Sequence, residues 1–438
     1  MSQSLRRAIG LPHATAMVVG TIIGASIFVQ PSEITGRVPS VAGILLVWSI
    51  SGLLTLFGAL VCAELASIYT QSGGVYVYLR EAFSPAAGFL WGWAMFWSMH
   101  SGIIAAIAVI FARYAAYFVP MNEFWLKGTA VAAILVLSAI NYTGVRQGSR
   151  VQTYFTYGKL LAIAAIIVLG FTLGLRAPAH FDSGGIDKTF GWQDLLLALV
   201  AGLFAFGGWH MVTYSSEETI EPQKTIPRSL VLGTLIVTAS YLALNTAYMF
   251  VLPLEKAASS TRIAADAADV LVGGGGGAIM SAIVVFSTFG GLSGIILCGP
   301  RVYYSMARDG LLFRWIGSIH PRYSTPHHAI LLQAIWSSVL VSTGTYRTLF
   351  TRVVYTEWIF FALVAVGLFV LRRRPGISRG YSVWGYPVVP ALFIASSSAI
   401  VLNQIISSPR ESAFGLSLVL LGLPVYYLWA GKQKKESQ

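Results

Sequence analysis

Apolar stretches long enough to cross a bilayer recur from Leu11 almost to the C-terminus of this 438-residue chain. A chain patterned this way has few folds open to it. Lipid offers no partner for a backbone N–H or C=O, so every crossing must be a helix or a strand of a closed barrel, and runs of about 20 apolar residues are helices. Hydrophobic residues make up 56% of the chain and charged residues 11%, with a mean hydropathy of +0.71. A soluble domain would carry roughly twice that charged share. The expectation is an all-α polytopic membrane protein with twelve spans, at about 12–36, 41–69, 86–119, 124–143, 151–175, 193–219, 228–252, 277–307, 328–344, 350–371, 386–407 and 412–430.

The net charge of +12 does not mark a nucleic-acid partner, because its clusters sit between spans: Arg6/Arg7, Arg146/Arg150, Arg372/Arg373/Arg374 and Lys432/Lys434/Lys435. Loops that alternate in this way follow the positive-inside rule and place both termini in the cytoplasm. Cys62 and Cys298 lie in apolar segments and give neither a disulfide framework nor metal-ligand spacing. The stretch after Arg6-Arg7 is too long for a cleavable signal peptide and lacks a small-residue cleavage site. Segment 253–276 reads as a flexible connector, and its run Gly273 to Gly277 lacks the Lys-Ser/Thr of a phosphate loop. Trp91, Trp93 and Trp97 read as interface anchors at the start of the third span.

Two spans break the rules of a good membrane helix. The first carries Val19-Gly20-Thr21-Ile22-Ile23-Gly24-Ala25-Ser26-Ile27-Phe28, and the sixth carries Leu203-Phe204-Ala205-Phe206-Gly207-Gly208-Trp209-His210. Either set of glycines alone serves as a helix-packing face. Two such interruptions five spans apart point instead to a transporter of inverted repeats, with its site where both helices unwind. Helix C-terminal carbonyls suit an ammonium and N-terminal amides suit a carboxylate, so facing breaks form a receptor for an amino acid zwitterion.

Lys159, near the start of the fifth span, is either a functional ammonium or a side chain snorkelling to the interface. His210 is open to a substrate or pH role and equally to a structural one. Glu64 is expected to pair with a loop arginine. Glu217, Glu218 and Glu221 are expected to end the sixth span as solvated charges or gate pairs, and they lack the histidines of a di-metal carboxylate site. Ser287, Thr288 and Ser293 in the eighth span face the first-span break or act as interhelical glue.

Taken together, Gly20-Thr21-Ile22-Ile23-Gly24-x-x-Ile27-Phe28, Ala63-Glu64-Leu65 with Ser72-Gly73-Gly74-x-Tyr76, Phe204-Ala205-x-Gly207-Gly208-Trp209 and Trp384-Gly385-Tyr386-Pro387 resemble the amino acid–polyamine–organocation superfamily. Within it the chain looks like the branch of L-type amino acid transporters and their bacterial alanine–serine–cysteine exchanger relatives, over roughly residues 8–430. The resemblance implies the leucine-transporter fold, with repeats at 11–175 and 193–371. Around them lie tails at 1–10 and 432–438, an extracellular connector at 176–192, a cytoplasmic loop at 372–385 and two further spans at 386–431.

It also implies that amides of Ala25, Ser26 and Ile27 hold a substrate carboxylate. Carbonyls of Ile22 and near Phe204, Ala205 and Gly207 would hold its amine. Gly24, Phe206, Trp209 and His210 complete the expected substrate site, with Phe204 as an aromatic gate. Lys159, with Ser287 and Thr288 nearby, would stand where sodium-coupled relatives bind a cation. The chain departs from the pattern at Ala25-Ser26, at His210 and at Ser293-Gly294.

The function expected is sodium-independent amino acid transport by alternating access, as an exchanger, in a bacterial inner membrane. Proton-coupled symport is the alternative. Neutral substrates are favoured because no intramembrane acid clearly serves a basic side chain. No nucleophile–base pair or metal constellation supports an enzyme, and a sensor without flux ranks as low. No cofactor, metal or nucleic acid is expected, and nothing in the sequence requires an accessory subunit.

Overall fold

The computed structural model describes residues 9–71, 73–143, 161, 163–173, 190–323 and 325–436, and leaves out the side chains of 215, 217, 218 and 430–436. Lys159, Glu217 and Glu218 therefore carry expectations that fall outside the described residues and side chains.

The described chain is helical. In order come α1 (Leu11–Ile22), α2 (Gln30–Arg37), α3 (Val41–Ile68) and α4 (Val75–Ala82). They are followed by α5 (Pro85–Ala115), α6 (Glu123–Thr143), α7 (Ile163–Leu173), α8 (Trp192–Ala205) and α9 (Pro222–Val251). The remainder are α10 (Leu254–Ser259), α11 (Ile263–Val272), α12 (Gly276–Arg308), α13 (His327–Thr343), α14 (Tyr346–Arg372), α15 (Val388–Ser407), α16 (Pro409–Leu420) and α17 (Gly422–Glu436).

Among the described residues, nine helical stretches are long and apolar enough to cross a membrane, against twelve expected. The expected first, fifth and ninth spans fall short. The first is split into α1 and α2, the fifth is described only from residue 161, and α13 has 17 residues.

Two groups of helices pack within themselves. Helix α9 lies along α3 and α1, and α8 joins them through α3. Helices α5, α6, α12 and α13 form the second group, and α14 leans on α5. The two interrupted helices belong to the first group, so both breaks open toward the second.

Two expectations need correction. Segment 253–276 is no flexible connector: α10 and α11 fill most of it, with Ile263, Ala264, Ala265, Ala267 and Ala268 buried. Alanine is the best helix former and leaves room for close packing, a signal that the neighbouring glycine run overshadowed. Trp91 is no interface anchor either. It is wholly buried, against His210, Phe360 and Phe361. Its indole is large enough to fill a core position where three helices meet.

Candidate functional site

Helix α1 stops inside the protein. The Ile23 amide closes the last helical turn on the Val19 carbonyl, and Gly24 then runs extended at φ −90°, ψ −167°. A tight turn over Ala25–Phe28 follows before α2 starts. The first amides of that turn have no carbonyl partner within it, as at any helix start.

Helix α8 stops in the same way at Ala205, and the chain resumes as a 3₁₀ helix at Trp209. Between them Gly208 sits at φ +94°, a left-handed conformation that glycine adopts without steric cost. A Cβ on Gly208 would lie 3.0 Å from the Thr21 carbonyl oxygen. The two breaks thus touch backbone to backbone.

One side chain ties them together. The Tyr241 hydroxyl on α9 lies 3.0 Å from the Ile22 carbonyl and 3.0 Å from the Ala205 carbonyl. It carries a single proton, so it donates to one carbonyl at a time. Its ring is held edge-on to Trp48 and Phe206, at 5.4 and 5.0 Å between centroids.

A small cavity of about 30 Å³ lies between the breaks. Its walls are Thr21, Ile22, Gly24 and Ser26 from the first break, and Phe204, Gly207, Gly208 and Met211 from the second. Ile103 and Ile107 of α5, Ile295 of α12, and Val353 and Glu357 of α14 close it. That volume takes one or two waters, so an amino acid enters only if the walls move. A second cavity of about 20 Å³ lies against Gly20, Ala25, Gly291, Gly294 and Cys298.

The structure therefore gathers Ile22, Gly24, Ser26, Phe204 and Gly207 on the first cavity and Ala25 on the second. Ala205 contributes its carbonyl to Tyr241, and the Phe206 ring packs behind it. Ile27 is buried and lines neither cavity. Trp209 and His210 also face away: His210 sits in a box of Trp91, Trp209, Tyr214 and Phe361 rings. Met211 takes the cavity-facing position instead, because the tight helical pitch turns it inward. Ser287 and Thr288 are buried on α12 and line neither cavity; Thr288 donates to the Val284 carbonyl. Ser293 takes the other expected role, interhelical glue: Asn141 of α6 donates to its hydroxyl at 3.1 Å.

Glu64 pairs with arginine, as expected, but chiefly with Arg372 in the last turn of α14, with the loop residue Arg379 3.8 Å away. The Arg372 guanidinium grips both of its carboxylate oxygens, and the Val383 amide donates to one at 2.7 Å. Arg372 in turn lies under the Tyr386 ring, 3.6 Å from its centroid, which gives the Trp384-Gly385-Tyr386-Pro387 segment its place. Glu221, at the start of α9, is solvated and pairs with Lys224.

Beside the apolar wall residues, two polar residues of the site, Tyr241 and Glu357, were absent from the sequence expectations. Tyr241 carries no local signal, since a tyrosine in an apolar span is ordinary. Glu357 does carry one, because an acid in mid-span is a functional-site hypothesis by default. Its presence on the cavity wall removes the premise on which neutral substrates were favoured.

The amino acid permease family model matches residues 9–425. The chain belongs to the amino acid permease family. Members similar to it include the mouse Asc-type amino acid transporter 1, at 32% identity over 98% of this chain and 83% of that protein. The human large neutral amino acids transporter small subunit 2 is 32% identical over 98% of this chain and 82% of its own length. The Bacillus subtilis serine/threonine exchanger SteT is 32% identical and covers 99% of this chain and 98% of its own. The permease is thus a multi-pass integral membrane protein, and its two interrupted helices are the feature that sequence and structure share.

Proposed function

We propose that this permease is a sodium-independent exchanger of amino acids that works by alternating access, and not an enzyme. The observation that carries the reading is the pair of facing breaks closed around one cavity and joined through Tyr241. The Ala25, Ser26 and Ile27 amides receive the substrate carboxylate at the positive end of their turn. Carbonyls at the end of α1 and at Phe204 and Gly207 receive the ammonium. Phe204, whose ring already packs on Phe350, closes over the substrate. Lys159 supplies the charge that a sodium ion supplies in coupled relatives.

Helices α1, α3, α8 and α9 rock as one body against α5, α6, α12 and α13, with the two repeats spanning 11–175 and 193–371. Both termini lie in the cytoplasm of a cell whose inner membrane holds the protein, a placement supported by the arginine-rich loops. Nothing in the sequence calls for a second subunit, although one relative is named a small subunit.

The test is counterflow in proteoliposomes made with the purified protein. Exchange should persist when sodium is replaced by potassium and should require amino acid on the opposite face. Uptake driven by a pH gradient with no internal amino acid would replace exchange by proton symport.

A further inference from the structure

Two glutamates are buried among the described residues, Glu64 and Glu357. Glu64 is fully engaged by Arg372 and the Val383 amide. Glu357 is 6% exposed and lines the cavity between the helix breaks. Among the described residues its carboxyl has no hydrogen-bond or ion-pair partner. The wall offers it no cation. Ile103, Ile107, Ile295 and Val353 are aliphatic, the Thr21 hydroxyl is spent on the Met17 and Val18 carbonyls, and the nearby hydroxyls of Ser26 and Tyr214 carry no charge. Glu357 is the one ionisable side chain among the described residues that line this cavity.

A carboxylate in a water-poor site is costly unless a cation or several donors meet it. Retaining one beside a zwitterion receptor makes sense where the ligand brings the missing partner. The backbone of the breaks handles the α-amino and α-carboxyl groups, which every amino acid shares. The side chain is left to the remaining walls, and Glu357 is their only charge.

We propose that Glu357 is the specificity-determining group of the permease and selects amino acids whose side chain ends in an ammonium. This rests on the transport reading above and names the substrate class for it. The ammonium donates to the Glu357 carboxylate in a charge-assisted hydrogen bond, while the breaks hold the other end of the molecule. An uncharged side chain of equal length leaves the carboxylate unpaired and binds more weakly.

Lysine and norleucine differ chiefly in that terminal group. In proteoliposome counterflow, unlabelled lysine should compete with labelled lysine at least about tenfold better than norleucine does, the size expected of one charge-assisted bond in a desolvated site. Glu357→Gln should erase that ratio, so that lysine and norleucine compete about equally. A wild-type protein that prefers norleucine, or a Glu357→Gln variant that keeps the lysine preference, would overturn the proposal. The wild-type ratio decides the matter even if the variant does not fold. Absence of counterflow with lysine, alanine and every other amino acid would instead bring down the transport reading beneath it, a result distinct from a wrong preference.

Discussion

Buried ionisable residues show how differently one residue type is used in this fold. Glu64 has no exposure, yet two nitrogens of Arg372 and one backbone amide satisfy it. Removing Arg372 leaves the buried carboxylate only the Val383 amide and Arg379, 3.8 Å away, at a cost of about 3 kcal/mol for a buried pair. Arg372→Ala should therefore lower the thermal unfolding midpoint in detergent by several degrees, whereas Arg373→Ala, at an exposed neighbouring position, should leave it unchanged. Tyr241 uses its polarity in another way, spanning two helix ends with one hydroxyl. Tyr241→Phe keeps the ring packing against Trp48 and Phe206, so stability should fall by less than about 1 kcal/mol. The apparent KM for counterflow should rise about fivefold, because the carbonyls of the two breaks lose their common anchor. Both residues lie in ordinary apolar sequence, and only Glu64 could be assigned a kind of partner from sequence. Arginine is the expected counterpart of a membrane-buried acid, whereas a tyrosine hydroxyl accepts many partners.

At the scale of the helix, the interruptions are written in the sequence as small residues, but their roles differ. Gly208 needs its left-handed backbone and its contact with Thr21; Gly24 is extended, and a Cβ there would meet nothing nearer than 3.7 Å. Gly208→Ala should cost about 2 kcal/mol, from the left-handed penalty and the crowded carbonyl, and Gly24→Ala less than about 0.5 kcal/mol. Thermal melts of the two variants side by side check the difference. The glycine pattern made the two breaks legible without distinguishing a strained glycine from a replaceable one, because that depends on what lies opposite. The same limit explains α10 and α11. Their alanines are helix formers in any sequence, but only packing against α2, α9 and α12 shows that they form part of the protein's body.

At the scale of the molecule, the helices sort into a body that carries both breaks and a body that faces them. Two contacts pin α2, the second half of the first span, to α14: Gln30 donates to the Tyr346 hydroxyl at 3.0 Å, and Arg347 pairs with Glu33. At the other end of the bundle, Arg80 and Tyr76 of α4 both reach Asp309, just beyond α12. Within the proposed cycle Lys159 takes the place of a coupling cation, so Lys159→Ala should slow counterflow at least about tenfold while the protein elutes and melts like wild type. Normal counterflow by that variant would remove the lysine from the mechanism.

The sequence by itself determined that the chain crosses a membrane many times as helices, that two of those helices are interrupted, and that a zwitterion is a fitting ligand for the interruptions. These conclusions rest on local properties, namely apolar length, glycine placement and the needs of an unpaired backbone in lipid. Tertiary structure decided which side chains share the cavity. It turned Met211 inward and His210 into an aromatic box, sent Ser293 to Asn141, and set Tyr241 between two carbonyls. It also placed Glu357 on the cavity wall, beside residues more than 300 positions away in the chain. Such meetings depend on helix rotation and tilt, which packing sets and no local sequence pattern encodes.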